Sequence, residues 1–194
     1  MIYMFLAPGF EEVEALAPLD LLRRAGLAVT TVAVTDREAD RAVEGSHRIT
    51  VLADMTAEEF RRSVLSGEAA STEAASVEAV ILPGGMPGTT HLDASPLVNA
   101  ALELAHGQGA YLCAICAAPL VLGKRGYLQG KRATCFPGFE KDLAGATVGG
   151  KVIRDGRVIT AAGMGVAQQF GLELVSALVS PEKAAEIRSA IQSL

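Results

Sequence analysis

Tryptophan is absent from the 194-residue chain, and three tyrosines and six phenylalanines are its only other large aromatics. A platform that stacks successive bases is therefore not expected. No run is rich in lysine or arginine, and 17 basic against 22 acidic side chains leave a net charge of −5. Nucleic acid and anionic membrane surfaces are thus excluded as default partners. No apolar run approaches the roughly 18 residues of a membrane helix. The apolar start Met1–Pro8 lacks basic residues and meets Pro8-Gly9 too soon for an export signal. Cysteines number only three, an odd count that gives no disulfide framework. A chain this long buries a core without staples, so the pattern predicts a reducing, cytoplasmic setting.

What is present is globular. Half the residues are hydrophobic and a fifth are charged, and the length predicts one domain over 1–194. Apolar runs at Ile2–Leu6, Ala28–Val34, Val77–Leu82 and Ala110–Ile115 alternate with stretches of helical period. Continuous apolar runs suit parallel strands buried on both faces, so the expected fold is a doubly wound α/β sandwich. A hairpin is predicted at Lys151–Asp155 and Arg157–Ala161, turning on Asp155-Gly156. Helices are predicted at Val166–Val179 and Pro181–Gln192. The low-complexity stretch 66–76 reads as a surface insertion. No internal repeat is visible.

Ligands in open α/β sheets bind at the carboxyl ends of strands. There, Ala114-Ile115-Cys116-Ala117-Ala118-Pro119 has the grammar of a nucleophile elbow: a strand, a sharp turn among small residues, then a helix. A thiol at a helix N-terminus is expected to ionise more readily. The alternative is that Cys116 is a small buried hydrophobe. Cys113 and Cys116 share a C-x-x-C spacing, but three strand steps span about 10 Å, too far for a disulfide, and Cys113 reads as core.

Glu14 is the second signal. On a helix from about Glu12 to Ala25 it heads the stripe Glu14-Pro18-Leu21-Ala25, so it faces inward and burial raises its pKa. The plain alternative is a helix-capping role, the one expected of Glu11 and Glu12. Gly84 and Gly85 end the run Val80–Leu82, where backbone N–H groups can form an oxyanion hole or simply a tight turn. Neither they nor Gly163-Met164-Gly165 fit a nucleotide fingerprint. His47 is placed in a turn before the strand Ile49–Leu52, His91 in the loop after the glycines, and His106 at a helix C-terminus. No two have metal-ligand spacing, so no metal is predicted.

These motifs, in order, resemble the ThiJ/PfpI superfamily in its small single-domain branch, which includes the Parkinson-disease-associated deglycase DJ and the bacterial chaperone YajL. The resemblance runs through Pro8–Glu14, Asp20–Gly26, Leu82–Gly85, the Cys116 elbow, Phe136-Pro137-Gly138 and Gly163–Gly165. It implies a flavodoxin-like three-layer sandwich with a mostly parallel sheet. It also implies Cys116 as reactive thiol, Glu14 as its protonated partner, and Gly85 with Ala117 as oxyanion donors. A homodimer would follow, with Arg24 presented by the partner subunit near the pocket. Phe136 stands where many relatives carry a histidine, which speaks against a protease-type dyad. Ala162 stands where some have an arginine, and His47 lies near another such position. Cys135 falls beside the pocket. The implied activity is of glyoxalase III or deglycase type: a small dicarbonyl such as methylglyoxal as substrate, and no cofactor. A redox-responsive sensor or chaperone is the alternative, and an amidase or peptidase a more distant one.

Overall fold

The computed structural model describes residues 1–37, 39–66 and 76–193. Most of the expected insertion at 66–76 therefore lies outside the described residues. The chain opens with β1 (Ile2–Leu6), α1 (Glu12–Arg24) and β2 (Val29–Ala33). A small hairpin follows, β3 (Ala42–Glu44) and β4 (Thr50–Leu52), then α2 (Ala57–Phe60), which continues as a wider π-type turn. Next come β5 (Ala79–Leu82), α3 (Gly88–Ala94), α4 (Pro96–Gly107), β6 (Tyr111–Ile115) and α5 (Pro119–Lys124). The last part holds the short pair β7 (Arg132–Ala133) and β8 (Thr147–Val148), the hairpin β9 (Val152–Asp155) and β10 (Val158–Ala161), then α6 (Ala167–Leu178) and α7 (Pro181–Ala190).

The main sheet has strand order β2-β1-β5-β6-β10-β9, parallel except for β9. Every residue of β1, β5, β6 and β10 is buried, which is why these strands read as unbroken apolar runs. Alternate residues nonetheless serve opposite faces. Tyr3, Phe5, Val80, Leu82, Leu112 and Ala114 pack with α2 to α5. Met4, Leu6, Ile81, Cys113 and Ile115 pack with α1, α6 and α7. The result is the expected three-layer sandwich. Among the described residues, no helix is long and apolar enough to cross a membrane.

Candidate active site

The strand β6 ends at Ile115, and the chain reverses at once into α5, whose first residue is Pro119. The reversal falls on Cys116, which adopts φ +64°, a left-handed conformation uncommon for a residue with a side chain. Hydrogen bonds over-determine it: the Cys116 N–H donates to the Ala161 carbonyl at 2.8 Å, and the Phe136 N–H donates to the Cys116 carbonyl at 2.7 Å. Such strain, held from both sides, marks functional turns. The elbow read from the sequence is present, and Cys113 is fully buried in the core.

Helix α1 delivers Glu14 to the same place. Glu11 caps the helix by accepting the Glu14 N–H at 2.7 Å, so Glu14 sits in the first turn with its side chain only 1% exposed. Its Oε2 accepts the Gly84 N–H at 3.0 Å. That approach requires glycine: a Cβ at position 84 would lie 2.5 Å from Glu14 Oε2 and 2.6 Å from the Cys116 Cβ. The next residue, Gly85, turns at φ +89°. Glu14 and Cys116 are close enough to shift each other's proton affinity. Yet Glu14 Oε1, equally buried, has no partner at hydrogen-bonding geometry among the described residues.

Burial drives the Glu14 pKa up to about 7, the charge of Glu11 adds to the rise, and contacts from Cys116, Gly84 and Met164 only partly oppose it. The Cys116 thiol does not ionise more readily, contrary to expectation. Burial first, then the charge of Glu14 and its hydrogen bond, push it up to about 12; the N–H groups of Gly85 and Ala117 act the other way. Helix α5 is only six residues long, and its dipole is outweighed. The pair therefore holds a thiol beside a carboxyl whose proton affinity has been raised towards the neutral range. Two backbone N–H groups lie at the sulfur, where they favour an anion that has yet to form.

The remaining sequence candidates scatter around this centre. Phe136 is half-exposed and lays its ring edge against Gly163. Cys135 is buried in the core cluster on one face of the sheet, whereas Cys116 packs against the other. Burial, with the charges of Glu140 and Asp142, raises the Cys135 pKa to about 11. Arg24 lies ten residues beyond Glu14, about 15 Å along the helix, and pairs there with Asp20 at 2.6 Å. Within its own chain it is remote from the thiol. His91 is not in a loop; it lies in α3, and its Nδ1 is 2.8 Å from the Pro8 carbonyl.

His47 sits in the β3–β4 loop and meets Glu12, not Glu14. Its backbone N–H donates to Glu12 Oε1 at 2.7 Å, and its Nδ1 is 2.8 Å from Glu12 Oε2. Glu12 thus anchors that loop instead of capping α1, a role invisible in sequence because its partners lie about 35 residues away. Glu11, Glu12 and His47 bring three potential metal donors within 4.8 Å of one another. These donors already engage each other and the Glu14 N–H. Sequence reading also missed Ala161, whose carbonyl pins the elbow, and the approach of Met164 to Glu14.

The chain as a whole has clear relatives. Protein dj-1beta of Drosophila melanogaster is 34% identical over 187 residues, covering 95% of this chain and 92% of its own. The Parkinson disease protein 7 homolog of Danio rerio is 32% identical, over 96% and 93%. A glutathione-independent glyoxalase of Caenorhabditis elegans is 29% identical, over 89% and 85%. The crystal structure of a DJ-1 superfamily protein from Salmonella typhimurium superposes with a TM-score of 0.86 at 32% identity, covering 100% of this chain and 98% of that one. The profile of the DJ-1/PfpI family matches residues 1–177, and the chain belongs to that family.

Proposed function

We propose that the protein is a cofactor-independent Cys-Glu enzyme of glyoxalase III or deglycase type, acting on small dicarbonyls such as methylglyoxal. The observation that carries this reading is the buried Glu14 carboxyl beside Cys116, with one oxygen unpartnered and a pKa near neutrality. A general base works best with a pKa near the working pH. The name of the Caenorhabditis elegans relative supports the same chemistry.

The Glu14 carboxylate takes the thiol proton as the Cys116 sulfur attacks the aldehyde carbon. A carbon–sulfur bond forms, the carbonyl π bond breaks, and the hemithioacetal oxyanion rests on the Gly85 and Ala117 N–H groups. Glu14 returns the thiol proton to the oxyanion, giving the hemithioacetal hydroxyl. As a carboxylate it then takes the hydrogen of the former aldehyde carbon as a proton and delivers it to the adjacent carbon, while the hydroxyl proton passes to the former ketone oxygen. The first carbon is oxidised and the second reduced, so no external electron carrier is required. Water hydrolyses the resulting thioester to lactate and restores the thiol. A homodimer in which a second copy brings Arg24 to the pocket belongs to the same reading.

The test is turnover of methylglyoxal by the wild type beside Cys116→Ala and Glu14→Gln, with intact mass followed under mild peroxide. Lactate formation abolished by both substitutions is expected. No turnover, with a two-oxygen gain confined to Cys116, would replace this reading by a redox-responsive one.

A further inference from the structure

A cavity of 710 Å³ lies next to the reactive pair, lined not by Cys116 or Glu14 themselves but by the segment Thr134–Pro137, the β8–β9 connection and the start of α6. Phe136 and Gly163 connect it to the site. The Phe136 N–H holds the Cys116 carbonyl, and the Phe136 ring lies 3.3 Å from where a Cβ on Gly163 would stand. That same position is 4.0 Å from the unpartnered Glu14 Oε1. The walls are mainly apolar, with Cys135, Phe136, Pro137, Val148, Met164 and Val166 prominent. Two of its polar groups are already occupied: the Thr134 hydroxyl donates to the Gly150 carbonyl, and Glu140 accepts the Gly138 N–H.

A three-carbon dicarbonyl leaves most of this space unused. Cavities of about 300–1,000 Å³ hold ligands of drug size. The large apolar side chains Phe136 and Met164, which line the cavity, are also about half exposed.

We propose that this cavity is a side-chain subsite, and that the preferred substrates are 2-oxoaldehydes carrying an aromatic or branched apolar substituent, not methylglyoxal itself. The proposal rests on the dicarbonyl reading of Cys116 and assigns the substituent its place. The aldehyde carbon sits at the sulfur, the ketone oxygen reaches towards Glu14, and the substituent passes Phe136 into the cavity. Apolar pockets separate substrates by roughly tenfold or more for each methylene that they bury well.

The test compares kcat/KM for phenylglyoxal and methylglyoxal in the wild type and in Val148→Trp, which fills the cavity from a solvent-facing strand. The wild type is expected to favour phenylglyoxal by about tenfold or more, and the ratio to fall to near unity in the variant. Reading a ratio within each protein cancels any general loss of activity or folding. A wild-type ratio at or below one, or one that Val148→Trp leaves unchanged, overturns the subsite. Alkylation of Cys116 by iodoacetanilide and by iodoacetamide, each normalised to free cysteine, gives a reading independent of turnover. If neither aldehyde is turned over, the enzyme reading fails. The subsite then stands on a roughly tenfold preference for the anilide that Val148→Trp removes, and falls if no such preference exists.

Discussion

Glu12 and Glu14 lie two residues apart in the first turn of one helix, both almost fully buried, and their proton affinities move in opposite directions. Burial penalises either carboxylate. Glu12 offsets it with hydrogen bonds from the His47 ring and from backbone N–H groups of His47 and Ile49, which hold its pKa at about 2. Glu14 has one firm donor, the Gly84 N–H, and one empty oxygen, and its pKa rises to about 7. Both are hidden from solvent, but Glu14 lies deeper while Glu12 sits beside the exposed His47. Burial therefore wins at Glu14 and hydrogen bonds win at Glu12. The first glutamate is a structural anion; the second is left able to move a proton.

Removing each carboxylate in turn separates the two roles most strongly. Glu14→Gln is expected to lower kcat/KM for dicarbonyls by about 10²–10⁴, the usual worth of a positioned acid–base group. Glu12→Gln should change it by less than about threefold, with its loss appearing instead as a lower Tm. Steady-state rates and thermal melts on the same two preparations check this. Equal activity losses would show that the two groups act as one network.

A second test reads the pH dependence of stability, where the two residues have opposite signs. The folded pKa of Glu14 lies above its unfolded value of 4.5, so the native state binds the extra proton between the two. Its contribution is fully present below pH 4.5 and is lost as pH rises through about 7. The wild type should therefore lose roughly 3 kcal/mol across that window relative to Glu14→Gln. Glu12 is depressed, so its contribution is present above pH 4.5 and is lost as pH falls towards 2. Glu12→Gln should flatten this acid limb and, by releasing His47, also remove the loss that sets in above pH 6.5 as that histidine deprotonates. Urea unfolding from pH 2.5 to 8.5 separates the two slopes, and a Glu14→Gln curve parallel to the wild type would refute the raised pKa.

The same contrast shows what a sequence can carry. The elbow was legible because β6 is an unbroken apolar run that stops at one cysteine among alanines. Glu14 was legible because a lone carboxylate heads an apolar helical stripe. Both signals are local and periodic. The division of labour between the glutamates was not legible, since the donors on Glu12 come from a hairpin loop distant in sequence. The direction of the thiol shift was misjudged for a related reason: a helix start can be read from small residues and Pro119, but burial and a neighbouring charge depend on the packed fold. Pro87-Gly88 reads as a break and puts His91 in a loop, whereas Gly88 opens α3. The two-residue strands β7 and β8 carry no period at all.

The smallest expected effect lies on the far side of the Glu12 hydrogen bond. His47 is solvent-exposed, so its titration reports its partner rather than burial. The Glu12 side chain raises the His47 pKa above the ordinary 6.5, by its hydrogen bond and then by its charge. A raised histidine favours the folded state while protonated, and that support fades as pH rises through its folded pKa. Imidazole resonances followed by NMR should therefore place His47 above an unperturbed histidine in the wild type and in Glu14→Gln alike. Glu12→Gln should bring it back towards 6.5. A His47 titration that follows Glu14 instead of Glu12 would mean that the two carboxylates share one charge, and the separation of anchor from proton carrier would fail.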